Sequence, residues 1–119
     1  MTLKINHPIS EDEYSCYISS LGATPAAAYV HVGEGGILTE IGIVQSAAVT
    51  GTSTVTVTNA NGGATLGTIT VTAGSAGSVF TTVPSASTYV NEDDVLIFTP
   101  AGATGAAIYG HAFCKVRGS

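Results

Sequence analysis

The stretch Ser53-Thr54-Val55-Thr56-Val57-Thr58-Asn59-Ala60-Asn61-Gly62-Gly63-Ala64-Thr65-Leu66-Gly67-Thr68-Ile69-Thr70-Val71-Thr72 decides the fold. Threonine alternates with valine or isoleucine on both sides of a glycine-bearing centre, the period of half-buried β-strands and not of a helix. Asn61-Gly62 by itself suggests a two-residue turn. That turn would set Val57 opposite Leu66 and Val55 opposite Thr68, leaving Ile69 and Val71 pointing away from the two valines. Centring the hairpin on Gly63 pairs Val57 with Ile69 and Val55 with Val71, so that all four share a face. A one-residue slip exchanges the faces of a strand. Burial therefore favours the second pairing, with an odd loop of three or five residues centred on Gly63.

The same alternation, punctuated by Gly, Pro and Asn, recurs about every ten residues along the chain. Strands are expected over 14–21, 27–32, 37–45, 53–58, 66–72, 79–83, 95–99 and 107–116, an all-β antiparallel sandwich of about eight strands. Its core should include Ile41, Ile43, Val55, Val57, Ile69, Val71, Val95 and Ile97. The segment 14–21 is contested. Ser10 and Glu13 have capping-box spacing, and Tyr14, Tyr17, Ile18 and Leu21 fall on one helical face. Against that, Tyr14, Cys16 and Ile18 alternate, and two turns of helix gain little over their nucleation cost; strand is the expectation. Residues 1–13 have no period and read as a tail, either frayed or reaching a neighbouring subunit as an arm, ahead of a sandwich domain at 14–119.

Composition removes several functional classes. Of 119 residues only three are basic and eight acidic, 9% charged with a formal net charge of −5, against about 25% charged in an average soluble domain. Mean hydropathy is +0.39, and tryptophan is absent. Three basic side chains cannot neutralise a phosphate backbone, so no nucleic-acid partner is expected. No apolar run approaches the length of a membrane span. Met1-Thr2-Leu3-Lys4-Ile5-Asn6-His7-Pro8 has no apolar signal core, so synthesis in a reducing cytoplasm is expected.

Candidate chemistry is sparse. Cys16 and Cys114 read as reduced, buried thiols, with a disulfide as the alternative if the first and last strands are neighbours. Neither cysteine has zinc-ligand spacing. Cys114 and His111 are three apart on one strand and point to opposite faces. His31-Val32-Gly33-Glu34 has one histidine where a cupin motif needs His-x-His, although a fold could bring His31 and His111 together. Glu11-Asp12-Glu13 and Glu92-Asp93-Asp94 lack the alternating spacing of a calcium loop and read as solvated turns. There is no Gly-x-Ser-x-Gly elbow, and no helix or lysine follows the Gly33–Gly36 or Gly62-Gly63 clusters. The expectation is no enzyme, no cofactor and no metal.

The scarcity of charge itself points to association. Sandwiches guard their edges with lysine and other charges, and this chain has only Lys4 and Lys115. On the last strand, Ile108, Gly110, Ala112, Cys114 and Val116 alternate with Tyr109, His111, Phe113, Lys115 and Arg117. Both sets suit burial, the second of them between subunits. Those five residues are the candidate interface of a homo-oligomer.

From Cys16 to Arg117 the chain resembles small β-rich proteins of tailed bacteriophages, including capsid decoration (cement) proteins. The resemblance is carried by Ala28-Tyr29-Val30-His31-Val32, Gly36-Ile37-Leu38-Thr39-Glu40-Ile41, Ser46-Ala47-Ala48-Val49-Thr50, Gly67-Thr68-Ile69-Thr70-Val71-Thr72 and Gly74-Ser75-Ala76-Gly77-Ser78. It continues in Tyr89-Val90-Asn91-Glu92-Asp93-Asp94-Val95 and in Lys115-Val116-Arg117. Where such proteins often place Gly-Asp before the penultimate strand, this chain has Asp93-Asp94. The resemblance implies a jelly-roll-like sandwich, a homotrimer, binding to the major capsid protein on the exterior of the head, and no catalytic residues. Related folds serve in tails and fibres, so a fibre component or carbohydrate-binding adhesin module is the alternative. Sugar stacking needs exposed aromatics, and only five tyrosines and three phenylalanines are present.

Overall fold

Alternating threonine and valine do produce a hairpin, and the rest of the chain wraps around it. The computed structural model describes residues 11–22, 25–72, 74–84, 89–105 and 108–117. Among these the regular elements are nine strands: β1 Glu11–Ile18, β2 Ala28–His31, β3 Gly36–Gln45, β4 Ser53–Asn59, β5 Thr65–Val71, β6 Val79–Thr82, β7 Tyr89–Val90, β8 Val95–Ala101 and β9 Gly110–Arg117. No helix among the described residues is long and apolar enough to cross a membrane.

The strands form two antiparallel sheets, β1-β9-β3-β6 and β2-β8-β4-β5, with the short β7 paired to the start of β3. The pairs are nested: β1 with β9, β2 with β8, β3 with β6, and β4 with β5 innermost. A long hairpin rolled up so that successive pairs fall alternately in one sheet and the other gives this order. It is the jelly roll, which buries one face of each sheet against the other. Ile18, Val30, Leu38, Ile43, Val57 and Phe98 are among the side chains that fill the space between the sheets.

The central hairpin corrects one expectation and keeps another. Val55, Val57, Ile69 and Val71 are all buried, as the face argument requires. The pairs, however, are Val55 with Ile69 and Val57 with Gly67, and the loop between the strands, residues 60–64, has five residues as expected but is not centred on Gly63. Asn59 closes it, its N–H donating to the Ala64 carbonyl at 2.9 Å while its own carbonyl accepts from Gly63 N–H at 2.9 Å. Gly62 and Gly63 take φ of +94° and +77°, which only glycine adopts without strain. The odd residue needed to keep the faces aligned is Leu66, inserted where the register shifts between Val57 and Thr58. The turn thus centres on Asn61-Gly62, and a bulge rather than the loop supplies the offset.

Two other expectations shift. In β8 the buried side chains are Leu96, Phe98 and Pro100, while Val95 and Ile97 are half-buried on the outer face. Val95-Leu96-Ile97-Phe98 is apolar in both phases, and the phase carrying the larger side chain, Phe98, turns inward. At the other end, β1 begins at Glu11, so the acidic run 11–13 is strand and not a solvated turn. Within that run Glu13 lies opposite Lys115 in the register, a pairing of opposite charges that favours extension of the ladder. The expected tail now lies mostly in residues 1–10, outside the described residues.

Candidate functional site

β9 lies between β1 and β3, and its side chains alternate as expected: Gly110, Ala112, Cys114 and Val116 face the core. Tyr109, His111, Phe113, Lys115 and Arg117 share the outer face of the β1-β9-β3-β6 sheet. The register extends this face sideways into cross-strand rows. One row runs Tyr17, His111, Val44, Val79 across all four strands. Tyr17 is 55%, Val79 56% and the adjoining Tyr109 51% exposed. The Tyr17 and Tyr109 rings lie 5.7 Å apart and tilted by 31°, and His111 meets Tyr17 edge-on at 5.9 Å. Ring pairs of this geometry are favourable beyond the area they bury.

The next row, Ser15, Phe113, Gly42, Thr81, is different. Phe113 is only 7% exposed, because its ring lies over Gly42, where a Cβ would overlap it. Phe113 therefore belongs to the packing of its own subunit and is not a free contact. A third row is charged. Lys115 Nζ meets Glu40 Oε1 at 3.2 Å, with Glu13 opposite on β1. The face is thus graded from aromatic and aliphatic at one end to ion-paired at the other, where Arg117 is exposed.

The second acidic run divides between two roles. Asp94 is buried and accepts hydrogen bonds from Asn91 N–H at 2.8 Å, Asn59 Nδ2 at 3.0 Å and Asn61 Nδ2 at 3.3 Å. The backbone donor at Asn91 leads these contacts in holding its pKa below the ordinary value, against the opposing effect of burial. Asp94 is a structural hub and not part of a solvated turn. Its neighbour Asp93 is exposed, takes a left-handed φ of 68° and meets His31 Nε2 at 2.9 Å.

Cys16 and Cys114 are free thiols on neighbouring strands, but Cys114 is opposite Tyr14 and Cys16 opposite Ala112. They are diagonal neighbours, about 7–8 Å apart, too far for a disulfide without backbone movement. Burial pushes the Cys114 thiol up to about 12, which keeps it protonated and unreactive. His31 and His111 face outward from opposite sheets, so the fold does not bring them together. No group of three or more His, Cys, Asp or Glu side chains placed to hold a metal occurs among the described residues. His7 lies outside them.

Tyr17, Val44 and Val79 are the members of the aromatic row that sequence alone does not place. Alternation puts each on a strand face, but only the β1-β9 and β9-β3-β6 pairings set them beside His111. Comparison with protein-family models, curated proteins and solved structures returns no significant match.

Proposed function

We propose that the chain is a structural protein of a phage virion, a decoration protein that forms a homotrimer and binds the major capsid protein on the outside of the head. The observation that carries this reading is the Tyr17-His111-Val44-Val79 row with Tyr109 beside it. Exposed rings and aliphatic side chains in a continuous band resemble the apolar centre of a subunit contact, with the Lys115-Glu40 row as its polar rim. A jelly roll supports such a role, since its two packed sheets present a rigid outer face. Threefold symmetry would let three weak capsid contacts act together, so that none need be strong alone.

Light scattering on the purified chain tests the assembly. A trimer is expected for the wild type, and a monomer for Tyr17→Ser/Tyr109→Ser, both side chains being exposed enough to change without disturbing the core. A wild-type monomer at high concentration that also fails to sediment with capsids overturns the reading. Copy number per virion separates the head from a tail or fibre: near that of the capsid protein for decoration, a handful for the alternative.

A further inference from the structure

We propose that Tyr29, His31 and Asp93 form a binding site for a neutral oligosaccharide on the outer face of the β2-β8-β4-β5 sheet. This site is on the opposite side of the sandwich from the aromatic row, and the inference does not rest on how the chain assembles. Tyr29 is 61% exposed and projects outward from edge strand β2, on the same face as His31. Beside them on β8, Ile97 opposite Tyr29 and Val95 opposite His31 are half-buried. An exposed ring thus stands next to an apolar floor, as stacking against the C–H face of a pyranose requires.

The polar partner is unusually well held for an exposed group. Asp93 N–H donates to the Val32 carbonyl and Val32 N–H to the Asp94 carbonyl, both at 2.8 Å. The buried Asp94 carboxylate ties the same turn to Asn59 and Asn61 of the hairpin loop. The left-handed backbone of Asp93 then aims its carboxylate at His31. His31 engages Oδ1, which leaves Oδ2 to accept from sugar hydroxyls. Tyr29 and His31 are one pleat repeat apart, about 6.7 Å, so the stacking and hydrogen-bonding groups reach adjacent rings of an oligosaccharide. Charge disfavours an acidic sugar. Glu92 lies next to Asp93, and both basic side chains of the described residues, Lys115 and Arg117, are on the other sheet.

The test is saturation-transfer NMR on the full chain with maltose, cellobiose, lactose and chitobiose at millimolar concentration. Irradiating the aromatic protons should transfer saturation to the ring protons of at least one of these sugars. Tyr29→Ala should abolish the transfer and Tyr29→Phe retain it. Asp93→Asn, which tolerates the same backbone conformation, should weaken binding at least fivefold. Silence with all four sugars overturns the proposal, as does a signal that survives Tyr29→Ala.

Discussion

Asp94 accepts three hydrogen bonds in a buried site and so joins the end of β4 and the 60–64 loop to the 91–94 turn. Those donors favour the charged form, so its folded-state pKa lies below the ordinary 3.8. The linked stabilisation is complete above the unfolded value and is lost as pH falls through the folded one. Asp94→Asn keeps the shape and removes the titration. Its urea midpoint should therefore fall less steeply than that of the wild type between about pH 5 and pH 2; parallel profiles would exclude Asp94 as the source. Asp94→Ala strands the donors without a partner and should lower stability by about 2–3 kcal/mol at neutral pH.

At the scale of the element, β8 offers two apolar phases and buries one. Leu96→Ala or Phe98→Ala should cost about 3–5 kcal/mol by chemical denaturation, and Val95→Thr or Ile97→Thr about 1 kcal/mol or less. Equal losses in both phases would contradict the observed inward face. The β8 phase and the central hairpin mark what was legible in the sequence. In β4 and β5 threonine marks one face and valine or isoleucine the other, so the buried set could be read directly. In Val95-Leu96-Ile97-Phe98 no polar residue marks a face, and only packing against the opposite sheet decides. The bulge at Leu66 is hidden for a related reason: loop length alone does not set the register when an inserted residue separates the two. The candidate face was legible within β9, whose alternation is strict. The burial of Phe113 is not legible there, because it depends on Gly42, which becomes its neighbour only when the sheet forms.

For the whole molecule, the graded face makes the effect of salt informative. If subunits meet through the Tyr17-His111-Val44-Val79 row, the oligomer should persist in about 1 M salt, where ion pairs are screened within about 3 Å. Sedimentation velocity that instead shows dissociation would assign the contact to the Lys115-Glu40 end. The position of β9 has another outcome, one that belongs to the making of the chain. It is the latest of the nine strands to be synthesised, yet it lies inside its sheet, between β1 and β3. With elongation at about 5–20 residues per second, β1 waits on the order of ten seconds after leaving the ribosome before its partner exists. Through that interval the backbone edges of β1 and β3 that face β9 in the folded sheet lack that partner. Closure of the first sheet therefore waits for the latest of the nine strands, and a chain broken off before Gly110 carries eight strands of the roll without the one that joins β1 to β3.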